Sequence, residues 1–201
     1  MVRITVLASV AGFLALAGCS SKNDASPGAA SASSTASSSA STKPEQLTDA
    51  IIVARESAGD TAEVVIAQYA GAHTADPDVK SFAKMLISDH SKGKREVDSL
   101  TRKLSIVPQR PSDDTTSAEI AHTINHLATL KGHDLDTAFV NHEVQDHQTD
   151  IADAQKAVAA AQNPDVKALV QKSIPELQKH LDAAQAIQRK LSGAAKTEGT
   201  Q

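Results

Sequence analysis

Large rings are scarce in this sequence of 201 residues: three Phe, one Tyr and no Trp. That argues against a β-sandwich, an aromatic ligand cage, or a base-stacking platform for nucleic acid. Excess positive charge is lacking too. Lys and Arg number 20 against 24 Asp and Glu, a formal net charge of −4. Polyanions, nucleic acid among them, are therefore poor partners. A single cysteine excludes an internal disulfide framework and any CxxC zinc or redox motif. No Gly-rich phosphate loop, Gly-x-Ser-x-Gly elbow or His-Glu-x-x-His is present. None of the common catalytic motifs marks this chain as an enzyme. What is present, 40% hydrophobic and 22% charged residues, is the composition of a globular domain.

The one cysteine has a telling position. Arg3 is followed by an apolar run from Ile4 to Ala17, too short for a comfortable membrane span and matched to a secretory signal. The run ends Leu16-Ala17-Gly18-Cys19, which resembles a bacterial lipoprotein lipobox. The resemblance implies cleavage after residue 18, lipidation of Cys19 and a membrane as the partner of its acyl chains. Burial of acyl chains anchors by roughly 0.8 kcal/mol per CH₂. Ser20 follows, not Asp, which resembles an outer-membrane sorting signal facing the periplasm. Sixteen of the nineteen residues 25–43 are Ser, Ala or Thr. Such a stretch lacks the apolar content to offset ordering entropy, so residues 19–46 are expected to form a disordered tether.

From Leu47 to Leu191 apolar residues recur at spacings of three and four. The second helix reads Val79, Ala83, Leu86, His90, Gly93, Val97, Leu100, Leu104. The third long helix reads Val140, Val144, His147, Ile151, Ala154, Val158, Ala161, and the fourth Val166, Val170, Ser173, Leu177, His180, Ala184, Ile187, Leu191. This is the seam of a near-antiparallel helical bundle. The first helix is less regular, through Leu47, Ile51, Ala54, Ala58, Val65, Tyr69 and Ala72, with Gly59, Glu63, Ile66 and Ala70 on a neighbouring line. Ala75-Asp76-Pro77-Asp78-Val79-Lys80 is echoed by Gln162-Asn163-Pro164-Asp165-Val166-Lys167. Asp or Asn caps, Pro suits the first helical position, and the next Asp complements the helix dipole. The chain thus reads as two helical hairpins, with a short extra helix near Ser117–Leu130 between them. Residues 1–18 are the signal, 47–192 the bundle and 193–201 a disordered tail.

His90, His147 and His180 each stand where the seam calls for an apolar residue. His147 lies 17 residues before Pro164 and His180 16 after it, both about 25 Å from that turn. Glu63 and His90 lie 14 before and 13 after Pro77, about 20 Å from theirs. Turns docked at the same end would leave the two pairs about one helical turn apart. Imidazole and carboxylate suit zinc, copper or iron, so His90, His147 and His180 with Glu63 form a candidate transition-metal site. The competing reading is a buried His–carboxylate network without metal. Glu143 and Glu176, four residues before His147 and His180, are secondary candidates, with a solvated face as the preferred reading of Glu143. Asp89 and Asp146 precede His90 and His147 and diverge from them by about 100° on their own helices. Glu119-x-x-His122 has no second copy and reads as chance.

Together these residues resemble a bacterial ferritin-like family catalogued as domain of unknown function 4142, often labelled outer-membrane proteins. The matching segments are Glu63 in AEVVIAQYA, Asp76 to Ala83, Met85 to His90, Gly132 to Phe139, Asp146-His147 and Ile174 to Leu181. The resemblance implies a ferritin-like up-down four-helix bundle in the cell envelope. It implies no established activity, so the expected role is a binding or stress-protective module, with metal binding as the alternative. The ferritin di-iron pattern of paired Glu-x-x-His motifs is absent, which speaks against ferroxidase chemistry.

Overall fold

A computed structural model describes residues 46–198, with side chains through 193. The signal, Cys19 and nearly all of the tether lie outside the described residues. Within them the protein is all helical: α1 Asp49–His73, α2 Pro77–Leu104, α3 Thr116–Ala128, α4 Gly132–Ala160 and α5 Pro164–Glu198. None of the described helices is long and apolar enough to cross a membrane. α5 runs on to Glu198, into the stretch read from the sequence as a tail.

The helices begin where local chemistry dictates. Thr48 caps α1 through its hydroxyl. Asp76 accepts from the backbone N–H groups of Asp78 and Val79, at 2.8 and 3.0 Å. Asn163 does the same for Asp165 and Val166 in the echoed turn. Each cap satisfies N–H groups that the first helical turn leaves open. α1 pairs with α2 and α4 with α5, and the hairpins meet through α2 and α5, with α3 laid against α1.

The order of directions differs from the alternating up-down expectation. Asp49 at the start of α1 accepts from the N–H groups of Gln162 and Asn163, at 3.0 and 2.9 Å, in the α4–α5 turn. Lys103 at the end of α2 reaches Asp165 at that same end, 2.8 Å away. Lys190, late in α5, pairs with Asp78 at the opposite end, 2.6 Å away. The two hairpin turns therefore sit at opposite ends, and the connection carrying α3 travels the length of the bundle. Residues 105–131 are long enough for that crossing. The sequence levels still agree, because both pairs lie near mid-helix. α2 spans 28 residues, about 42 Å, so a residue about 20 Å from one end is about 22 Å from the other.

The core has two apolar clusters. One lies toward the α1–α2 turn and includes Ile66, Phe82, Leu86, Leu127, Phe139 and Leu191. The other lies toward the α4–α5 turn and includes Ile52, Val53, Val97, Ala157, Val166 and Val170. Between them is a polar layer. In α1 the inward line there is not the expected stripe but the neighbouring one, with Glu63, Ile66 and Ala70 buried and Val65 and Tyr69 only half so.

Candidate metal centre

Five polar side chains make the centre of this layer. Glu143 and His147 are 0% exposed, Glu63 and His180 1%, and His90 7%. α1 supplies Glu63, α2 His90, α4 Glu143 and His147, and α5 His180. Burying such groups costs free energy unless each finds a partner.

Each imidazole has one nitrogen tied to an acceptor. His90 Nδ1 lies 2.9 Å from Asp60 Oδ1. His147 Nδ1 lies 3.0 Å from the Glu143 carbonyl oxygen. His180 Nε2 lies 3.1 Å from Asp89 Oδ2, a carboxylate also held by Lys179. An acceptor requires an N–H opposite it, so on a neutral ring the other nitrogen carries a lone pair. The nitrogens left over are His90 Nε2, His147 Nε2 and His180 Nδ1. His147 Nε2 and His180 Nδ1 face each other at 3.2 Å. His90 Nε2 is buried with no hydrogen-bond partner. One ligand atom from each of the three rings lies within 4.8 Å of the others.

Two lone pairs at 3.2 Å repel unless a proton or a cation lies between them. The surroundings oppose the proton. Burial pushes His147 down to about 4, and the other two imidazoles add to the effect. Burial also lowers His180, against the pull of Asp89. His147 and His180 are therefore neutral at neutral pH, the form that ligates metals.

The carboxylates tell the same story. Glu63 Oε2 is 3.8 Å from His90 Nε2, and Glu143 Oε2 is 3.5 Å from His147 Nδ1. All four oxygens of the two side chains are buried without a hydrogen-bond donor. Burial, then the nearby Glu143, raises Glu63 well above the usual carboxylate range. Burial, with Asp146 and Asp150 adding to it, raises Glu143 to about 8. Without a cation these carboxyls hold protons. Ligand atoms of Glu63, Glu143 and His147 also lie within 4.8 Å of one another, as do those of Glu63, Asp146 and Asp150.

Two features support the cluster. A Cβ at Gly93 would sit 2.8 Å from Asp60 Oδ2, so glycine there lets Asp60 seat against α2 and hold His90. A cavity of about 200 Å³ reaches the layer, lined by Glu56, Asp60, His90, Asp150, Glu176 and His180 among others.

The structure thus gathers His90, His147, His180 and Glu63. Glu176 stays outside the cluster, half-buried and 3.6 Å from Lys92. The solvated-face reading of Glu143 is corrected: four residues before His147 on α4, it shares that residue's inward face and is fully buried. Asp89 and Asp146 do diverge from their own neighbours, but each meets another helix, Asp89 at His180 and Asp146 at Glu63. Asp60 and Asp150 escaped the sequence reading. Their signal was there, since each stands three residues from a cluster member, Glu63 or His147. His73, Glu119, His122, His126 and His133 are exposed, and His142 is half-buried with Nε2 unpartnered.

A family model described as a domain of unknown function (DUF4142) matches residues 32–187. Neither a curated protein nor a solved structure matches the chain. The match covers most of the chain, which belongs to the DUF4142 family.

Proposed function

We propose that this DUF4142 protein is an envelope-anchored binding module whose bundle holds a transition-metal ion, zinc, copper or iron. His90, His147 and His180 are the ligands, and Glu63 completes the set. The observation that carries the reading is the convergence of three imidazole lone pairs. Each ring is aimed by an acceptor on its far nitrogen, Asp60, the Glu143 carbonyl or Asp89. That outer arrangement orients metal-binding histidines and raises their basicity. A metal-free hydrogen-bonded network would place a proton between His147 and His180, but it leaves His90 Nε2 and both glutamates without partners.

The long crossing connection supports a ferritin-like arrangement, since one such crossover distinguishes those bundles from plain up-down ones. The lipobox at Cys19 supports a lipid anchor, and Ser20 an outer-membrane location facing the periplasm. Such a module protects the envelope by sequestering metal, and needs no substrate.

Metal analysis of the purified full chain tests the reading beside a His147→Ala/His180→Ala variant. One bound zinc, copper or iron ion per chain is expected in the former and none in the latter. Equal zinc, copper and iron content in both removes the proposal.

A further inference from the structure

The three-histidine site leaves part of the polar layer unaccounted for. From α4, Asp146 and Asp150 also approach Glu63. Carboxylate oxygens of Glu63, Asp146 and Asp150 lie within 4.8 Å of one another. Glu143 joins from the same helix, its ligand atom within 4.8 Å of those of Glu63 and His147. Acidic residues crowd many protein surfaces without consequence, but Glu63 and Glu143 are not surface groups. They are 1% and 0% exposed, and neither carboxyl receives a hydrogen bond on either oxygen. Glu63 is common to both carboxylate groupings, so an unpartnered buried side chain is aimed into the set. No Lys or Arg forms an ion pair with Glu63, Glu143, Asp146 or Asp150 among the described residues.

From this placement we propose a second cation site formed by Glu63, Asp146 and Asp150 with Glu143, adjoining the three-histidine site. Its donors are all oxygens, which select a hard divalent cation of the Mn²⁺ class rather than the ions that imidazole prefers. Glu63 has one carboxyl for both sites: Oε2 lies 3.8 Å from His90 Nε2, and the group also reaches Asp146 and Asp150. The centre is then a two-cation layer, with nitrogen donors from α2, α4 and α5 on one ion and oxygen donors from α1 and α4 on the other. The cavity offers a route in, because Asp150 lines it together with His90 and His180. The inference rests on the three-histidine reading through this sharing of Glu63, and the experiment separates the two.

The purified full chain is loaded with one equivalent of Zn²⁺ and titrated with Mn²⁺, free Mn²⁺ being read by electron paramagnetic resonance. The zinc-loaded protein is expected to take up one Mn²⁺ per chain. An Asp146→Asn/Asp150→Asn variant, isosteric at both positions, is expected to keep its zinc and bind Mn²⁺ at least tenfold more weakly. A His180→Ala variant is expected to lose zinc and still take up Mn²⁺. Zinc binding without Mn²⁺ uptake overturns this inference and leaves the three-histidine site standing. Undiminished Mn²⁺ uptake by the double Asn variant also overturns it. Binding of neither ion overturns both readings.

Discussion

The two ends of the bundle and its middle obey opposite rules. At the ends, Phe82 packs on Phe139 with ring centroids 6.0 Å apart, and Val166 and Val170 are fully buried among alanines. Such cores gain from every apolar contact and are stable on their own terms. In the middle, five ionisable side chains are as deeply buried, and several have no partner. Unpaired buried polar groups lower stability, so a layer of them persists only where something else is gained. The contrast separates residues that hold the fold from residues that wait for a ligand.

The largest expected effect breaks the apolar end. Phe139→Ala should cost about 3–5 kcal/mol, and calorimetry should show the melting temperature down by roughly 10 °C. His147→Leu, equally buried, should change the melting temperature of the metal-free protein far less, because it removes a polar group rather than a packed one. A loss as large as that of Phe139→Ala would make the polar layer structural and end the contrast.

A second expectation concerns pH. Glu143, raised from 4.5 to about 8, and Asp150, raised from 3.8 to about 8, hold protons in the folded chain that the unfolded chain has lost. Burial causes both shifts first. For Glu143 the charges of Asp146 and Asp150 add to it; for Asp150 those of Asp146 and Glu56 do. The stability they contribute is complete below the unfolded value and is lost as pH rises through 8. His147, lowered from 6.5 to about 4, acts the other way: its contribution is complete above 6.5 and is lost as pH falls toward 4. Above 6.5 only the acids act. The metal-free melting temperature should therefore fall between pH 6.5 and 8, by about 5 °C. Glu143→Gln should flatten that slope, and an unchanged slope would show that this carboxyl does not titrate there.

The smallest effect sharpens the border between the regions. Gly93→Ala should push Asp60 off His90, with little change in melting temperature. Zinc affinity should drop about tenfold, the size expected when the group orienting a ligand is displaced. Unchanged affinity by calorimetric titration would mean that Asp60 does not orient the ring.

The apolar ends were legible in the sequence because a seam of spacing three and four is a property of one helix at a time. Val79, Ala83, Leu86, Val140, Val166 and Ala184 all lie where that period puts them. The histidines were legible for the same reason, as breaks in the pattern. The carboxylates were less so. Glu143 shares the face of His147, yet charge alone argued for solvent. Asp60, Asp89, Asp146 and Asp150 act across helix pairs, and their partners depend on how the hairpins dock. That docking hung on a connection whose length permits either direction, and only contacts such as Asp49 with the α4–α5 turn decide it.

The central claim is that the buried imidazoles share an ion. A crystal structure of the zinc-loaded protein, with anomalous scattering recorded at the zinc edge, tests it directly. The account predicts one strong peak between α2, α4 and α5, about 2.0–2.1 Å from a nitrogen each of His90, His147 and His180. A polar layer with no peak, and with His147 and His180 still 3.2 Å apart, would contradict it.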